Sequence, residues 1–205
     1  KINIGIFINI RFLFYNNKKL GEIELNIPGK HNIYNALATI ALGTELGIPF
    51  KKIKNALSRF SGVERRFEIK GIVKDILVID DYAHHPTEVE ATINSIRNGW
   101  KNRLIIVFQP HLFSRTKDFY KEFAQALIKA DIIVITDIYA AREKPISGVS
   151  GEMISSYALK ICQKEIYFIN DKNSVSEFLL KIITDGDIIV TMGAGDIWEV
   201  SEDII

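Results

Sequence analysis

The chain has 205 residues, a formal net charge of +1 and 47% hydrophobic residues. That length suits one large domain or two small ones, and the apolar content excludes a disordered chain. The near-neutral charge gives no electrostatic case for nucleic acid or an anionic membrane surface, and no apolar run reaches the roughly 18 residues of a membrane helix.

Ile2, Ile4, Ile6, Ile8, Ile10, Phe12 and Phe14 occupy alternate positions, the period of a strand with one buried face. The alternation interrupts any apolar leader core and no small-residue cleavage site follows, so a signal peptide is not expected. A strand this long calls for a bulge, placed near Gly5. The sequence starts at Lys1 rather than Met, inside an apparent strand, and reads as a piece of something longer. Asn16-Asn17-Lys18 supplies turn chemistry, and Ile23, Leu25 and Ile27 alternate again, which predicts a hairpin ending at Pro28.

A helix is predicted from about Asn32 to Leu46, stopped by Gly47. It is apolar nearly all round and is expected to be buried. Asn32, Asn35 and Thr39 share one face. An unpartnered buried amide costs about 1–3 kcal/mol, so a polar group is expected to meet that stripe. The plainer alternative makes Asn32 a helix cap. Phe50, Ile53, Leu57 and Phe60 mark a second helix. Ser61 to Phe67 is a short charged joint, and the domain boundary is placed there, giving domains 1–61 and 62–205.

Beyond the joint a strand–helix pattern repeats. Apolar runs at Ile76–Ile79, Leu104–Phe108, Ile132–Ile135, Ile166–Ile169 and Ile188–Val190 alternate with helical patterns at Pro86–Asn98, Ser114–Lys129, Gly151–Gln163 and Ser174–Ile183. Continuous Ile/Val runs are strands covered on both faces. The alternation predicts an α/β fold, a three-layer, mostly parallel sheet whose strand-end loops gather on one edge. The lone Cys162 excludes an internal disulfide and fits a reducing cytoplasm.

Ligands bind at the carboxyl edge of such sheets. The first loop there, Asp80-Asp81-Tyr82-Ala83-His84-His85-Pro86, carries two acids, a phenol and two imidazoles. It reads equally as a ligand edge or as a polar loop with His85 or Thr87 near a helix cap. The second holds Gln109, His111 and Arg115. Arg115 either grips an anion, worth about 4 kcal/mol at ~4 Å and an effective dielectric near 20, or pairs on the surface with Asp118 or Glu122 for about 0–1 kcal/mol. Gly193-Ala194-Gly195-Asp196 is either a phosphate approach or, more simply, a tight turn. Asp137 to Pro145 reads as a mobile polar loop. The sequence contains no Walker-type phosphate loop, no Cys/His metal spacing and no Gly-x-Ser-x-Gly elbow. These residues alone give an α/β domain with a polar ligand edge and no reaction.

Taken together, several motifs resemble the Mur ligases. They are Pro28-Gly29-Lys30-His31-Asn32 with Asn35, Gly62-Val63-Glu64-Arg65-Arg66-Phe67, and Asp81-Tyr82-Ala83-His84-His85-Pro86-Thr87-Glu88. Gln109-Pro110-His111 with Ser114-Arg115-Thr116, and Tyr139-Ala140-Ala141, are similar to the branch that joins L-alanine to UDP-N-acetylmuramate. The resemblance runs in order across essentially the whole chain. It implies the end of the central ATPase domain (a hairpin plus two helices) followed by the C-terminal Rossmann-like domain. It implies ATP and Mg2+ as cofactors and an acyl phosphate intermediate. The setting it implies is peptidoglycan precursor synthesis in the bacterial cytoplasm, and so cell wall, cell shape and cell division, with no nucleic acid or membrane partner.

Residue by residue, the resemblance puts Asn32 and Asn35 beside the adenine, His31 among the ATP-binding residues, Arg66 at the ATP phosphates, and Asp81 with Tyr82 at the ribose. His84, His111 and Arg115 fall where the incoming amino acid is received, and Arg66 and His84 take the catalytic assignments. Many relatives carry a second Arg where this chain has Leu112, so part of that clamp is absent or replaced. The phosphate loop and most Mg2+ ligands belong to a portion outside this chain, so the piece is expected to be inactive alone. Two alternatives stand beside this reading: a related ligase adding a tripeptide to the same nucleotide, and a non-catalytic α/β ligand-binding module.

Overall fold

Asn16 and Asn17 both adopt the left-handed region, at φ 47° and 62°, which Asn tolerates better than most residues. They turn β1 (Ile8–Tyr15) back on β2 (Lys18–Leu25) as an antiparallel hairpin. The pairing slips between Ile10 and Leu13 and again between Leu13 and Phe14. A slip of one residue exchanges the faces of a strand. Leu13 is therefore buried and Phe14 is 61% exposed, which corrects the expectation that the even positions stay inside to the end. The structure, a computed structural model, describes residues 8–205. The expected strand start at Ile2 and bulge near Gly5 lie outside the described residues.

The described chain divides into two compact units, with the division between Val63 and Glu64. In the first, α1 (Lys30–Glu45) and α2 (Phe50–Arg59) pack with the hairpin around Leu13, Ile23, Leu25, Ala36, Ile40 and Ile53. The two helices approach closely at Gly43, where an added Cβ would stand 2.8 Å from Ile53 Cδ1. Only one face of α1 is covered: Tyr34, Leu37 and Leu42 are exposed, so the expected all-round burial is corrected. An apolar helix is buried only where another element lies against it, and here the hairpin and α2 cover a single stripe.

The second unit runs from Glu64 to Ile205. Its strands are β3 (Glu68–Val73), β4 (Ile76–Asp81), β5 (Leu104–Phe108), β6 (Ile132–Ile135), β7 (Glu165–Phe168) and β8 (Ile188–Met192). They form one sheet in the order β3-β4-β8-β5-β6-β7. All neighbours are parallel except β3 and β4. The parallel strands β4, β5, β6 and β8 are buried residue by residue, as their Ile/Val runs require.

The helices α3 (Pro86–Gly99), α4 (Phe113–Leu127) and α5 (Glu152–Ile161) connect β4 through β7 in one direction. Right-handed crossovers put all three on one face. After β7, α6 (Val175–Ile182) returns the chain so that β8 inserts between β4 and β5, and α7 (Trp198–Ile204) closes the domain. Val175 and Leu179 of α6 and Val200 and Ile204 of α7 pack on Ile76, Val78, Ile105, Val107, Ile132, Val134 and Ile189. The change of crossover direction around β8 opens a crevice at the carboxyl edge between the loops after β4 and β5. Among the described residues no helix is long and apolar enough to cross a membrane.

Candidate functional site

The crevice begins with two adjacent acids that both point inward. Asp80 is fully buried; its carboxylate accepts Arg65 Nε at 2.9 Å and Thr191 Oγ1 at 2.6 Å. Arg65 also donates to the carbonyls of Gly195 at 2.9 Å and Gly193 at 2.7 Å. The Gly193–Asp196 loop therefore turns its carbonyls to a guanidinium, the tight-turn reading rather than a phosphate cradle. Arg65 does this from a left-handed backbone at φ 57°. Sequence reasoning chose its neighbour Arg66 and missed Arg65. The available signal was the pair of acids in an apolar strand, since a buried charge demands a partner.

Asp81 is 5% exposed. Its oxygens accept Ala83 N at 2.8 Å, Phe67 N at 3.1 Å and Thr92 Oγ1 at 3.0 Å. Burial pushes its carboxyl above the ordinary value, against those hydrogen bonds and the nearby Arg66. The carboxylate is engaged inside the domain, where it fastens Phe67 and the β4–α3 loop to α3.

The groups that do face the crevice are Tyr82, His84, His111, Arg115, Tyr139 and Arg66. His84 Nδ1 donates to the Tyr82 carbonyl at 2.8 Å and lies 3.4 Å from Glu88 Oε2. When the ring is uncharged, this bond puts the proton on Nδ1 and leaves the lone pair on Nε2. The His84 ring meets Tyr82 edge-on at 5.2 Å and His111 at 5.9 Å. The His111 ring stacks on Tyr139 at 5.9 Å. Arg115 Nη1 donates to His111 Nδ1 at 3.3 Å, which turns the Arg115 guanidinium into the cluster. Burial, then the charges of Arg115 and His84, lower the His111 pKa, partly offset by Glu143.

Arg66 stays exposed over the Tyr82 ring, 5.3 Å from the centroid, with only a long 3.5 Å contact to Glu88. Glu88 accepts His84 N and His85 N; burial would raise its pKa, but these bonds and the cations His84 and Arg66 hold it low. His85 is the N-cap of α3, accepting Thr87 N at 3.4 Å and completing a capping box with Glu88. The helix-cap reading holds for His85, while His84 turns to the crevice.

The loop after β6 is fastened rather than mobile. Tyr139 forms a bridge with His111, and Leu112 N donates to the Tyr139 carbonyl at 3.0 Å. Glu143 accepts Ser114 N at 2.9 Å and Ser114 Oγ at 2.5 Å, capping the start of α4 in place of Leu112, which sits there at φ 73°. The sequence marks Gln109 only as part of the second loop and its motif, and does not mark Glu143.

His31, Asn32 and Asn35 lie in the first unit. Asn32 Nδ2 donates to the Pro28 carbonyl at 2.6 Å, and Asn35 Nδ2 to Asn32 Oδ1 at 3.2 Å. Asn35 and Thr39 are exposed, so the expectation of a buried amide stripe in need of a partner is corrected. Among the described residues no group of three His, Cys, Asp or Glu side chains could hold a metal ion.

Comparison with known proteins bears on this edge. Residues 65–195 match the family described as Mur ligase, glutamate ligase domain. A relative from Geotalea uraniireducens, named UDP-N-acetylmuramate–L-alanine ligase, is 49% identical over 191 residues, covering 93% of this chain and 42% of that protein. The crystal structure of UDP-N-acetylmuramate-alanine ligase MurC from Thermotoga maritima matches with a TM-score of 0.76 at 34% identity, covering 92% of this chain and 40% of that one. A murein peptide ligase from Psychrobacter arcticus matches with a TM-score of 0.65 at 25% identity, covering 97% and 41%. The chain thus spans about two fifths of the length of the relatives it matches.

Proposed function

Because the chain belongs to the Mur ligase family, we propose that it is the C-terminal portion of an ATP-dependent ligase that joins L-alanine to UDP-N-acetylmuramate in peptidoglycan precursor synthesis in the bacterial cytoplasm. Residues 1–61 are then the end of the central ATPase domain and 62–205 the C-terminal domain. The observation that carries the reading is the continuous cluster Tyr82–His84–His111–Arg115 at the crevice, two imidazoles ending on a guanidinium. It supplies a cation for the amino acid's carboxylate and a free imidazole nitrogen for its amine.

ATP transfers its γ-phosphoryl group to the substrate carboxylate, giving an acyl phosphate. The amine nitrogen attacks the acyl carbon, a C–N bond forms, the C–O bond to phosphate breaks, and phosphate leaves with the electron pair. A proton leaves the nitrogen. In this chain Arg115 holds the amino acid's carboxylate, bidentate where geometry allows. His84 Nε2 takes the proton, its tautomer set by the Tyr82 carbonyl. Arg66, 50% exposed and weakly paired, is free to meet the charge on the phosphates. Asn32 and Asn35 would serve the adenine, His31 would join the ATP site, and Asp81 with Tyr82 would lie at the ribose. Mg2+ would supply charge neutralisation at the phosphates; the described residues offer no cluster of ligands for it, and no step here runs through the ion.

The test is phosphate release by the full-length enzyme with UDP-N-acetylmuramate and L-alanine. Alanine-dependent release, lost in this chain when assayed alone, supports the reading; alanine-dependent turnover by this chain alone contradicts its status as a portion. The tripeptide-adding reading draws support from the likeness to the Psychrobacter arcticus peptide ligase. It is weaker because identity to the alanine ligases is higher. Replacing L-alanine by a tripeptide in the same assay separates the two. A non-catalytic module would give no turnover with either.

A further inference from the structure

The helix that carries Arg115 starts without a cap of its own. Leu112 stands at the N-cap of α4 with a hydrocarbon side chain, and its backbone is left-handed at φ 73°. The first amide groups of a helix have no partner inside it and must find one elsewhere. Ser114 finds its partner on another loop: Glu143 Oε2 accepts Ser114 N at 2.9 Å, and Glu143 Oε1 accepts Ser114 Oγ at 2.5 Å. These two hydrogen bonds, that of the hydroxyl first, hold the Glu143 carboxyl below its ordinary value. The clasp is therefore made by a carboxylate, which suits the positive end of the α4 dipole.

The segment that carries Glu143 grips the same loop at a second point. Tyr139 N donates to the Pro110 carbonyl at 2.8 Å, Leu112 N donates to the Tyr139 carbonyl at 3.0 Å, and the Tyr139 ring stacks on His111. A turn with Ala141 at φ 51°, closed by Glu143 N on the Ala140 carbonyl at 2.9 Å, then leads to Glu143. Arg115 lies between the two grips. Its backbone follows Ser114 in the first turn of α4, and its guanidinium reaches His111 Nδ1 at 3.3 Å. Base and tip of this side chain are thus both referred to residues 139–143. Both Glu143 oxygens bond Ser114 rather than Arg115, so the guanidinium keeps its charge for a ligand.

Resting on the reading of Arg115 as the group that takes the amino acid's carboxylate, we infer that Glu143 is a positioning residue for that substrate: by clasping Ser114 it sets the place of Arg115, and so the affinity for the amino acid, without touching it. A guanidinium–carboxylate pair depends on geometry, and a small displacement of its base is costly at the tip. The groups read as the ATP side, Arg66 and Tyr82, stand on the joint and the β4–α3 loop. A change at Glu143 is therefore felt at the amino acid and not at ATP.

The experiment is steady-state kinetics of the full-length ligase, with Michaelis constants for L-alanine and for ATP in Glu143→Ala, Glu143→Gln, Arg115→Met and the double variant Glu143→Ala/Arg115→Met. Glu143→Ala raises the alanine constant about fivefold and leaves the ATP constant within about twofold. Glu143→Gln, which keeps an oxygen for Ser114, returns the alanine constant to within about twofold of wild type. On the Arg115→Met background Glu143→Ala adds no further rise, since no guanidinium is left to position. If Glu143→Ala melts early, Ser114→Ala removes the hydroxyl bond alone and raises the alanine constant about twofold. An unchanged alanine constant in the variant that folds, an equal rise for both substrates, or a full further rise on the Arg115→Met background would overturn the inference. An Arg115→Met variant that itself leaves the alanine constant unchanged would overturn the amino-acid reading as well; one that raises it while Glu143→Ala is silent would overturn the role of Glu143 alone.

Discussion

Arg65, rather than Arg66, closes on the Asp80 carboxylate, with Nε 2.9 Å from Oδ2 and the acid almost wholly buried. Two adjacent arginines thus divide the labour. Arg65 ties the joint, β4 and the Gly193–Gly195 turn together, while Arg66 stays exposed at the crevice.

That division is testable by substitution. Removing one partner of a buried pair strands the other charge and costs about 3–5 kcal/mol. Arg65→Met is expected to lose stability on that scale in a denaturant titration. Arg66→Met, at a half-exposed surface site, is expected to stay within about 0.5 kcal/mol of wild type.

Asp81 presents the same logic without a salt bridge. Asp81→Asn turns an NH2 toward donors that now face carboxylate oxygens: Ala83 N at one oxygen, Phe67 N and Thr92 Oγ1 at the other. The expected loss is about 1–3 kcal/mol, measured as a lowered melting midpoint. A variant as stable as wild type would mean that the carboxylate does not tie the joint to α3.

His111 makes a pH prediction. Its folded pKa lies below the ordinary value because of burial, then Arg115 and His84, with Glu143 opposing. The unfolded chain therefore takes up the proton first as pH falls. The stabilisation is complete above the unfolded imidazole value of about 6.5 and is lost as pH falls from there toward the folded value. Melting temperature against pH is expected to drop less steeply across that window in His111→Gln than in wild type.

Much of the second unit was legible in the sequence because its strands are buried on both faces. The Ile/Val runs of β4, β5, β6 and β8 leave little room for another reading. β3 escaped because it is a half-exposed antiparallel edge, interrupted by a register shift at Gly71. The burial of α1 was misjudged since apolar composition states a capacity for contact, and the contacting surface is set by what packs nearby.

The site was half legible. His84, His111 and Arg115 do meet at one edge, as their loops required. Which of Arg65 and Arg66 turns inward depends on one left-handed backbone angle that no residue type announces. The clasp of Glu143 on Ser114 joins two loops that only the tertiary fold brings together.

The most direct measurement is the Michaelis constant for L-alanine of the full-length ligase carrying Arg115→Met, with the constant for ATP as its internal reference. Loss of one charged contact, about 1.5–3 kcal/mol, is expected to raise the alanine value roughly 10–100-fold and leave the ATP value within about twofold. An unchanged alanine constant, or an equal rise for both substrates, would contradict the assignment of this crevice to the incoming amino acid.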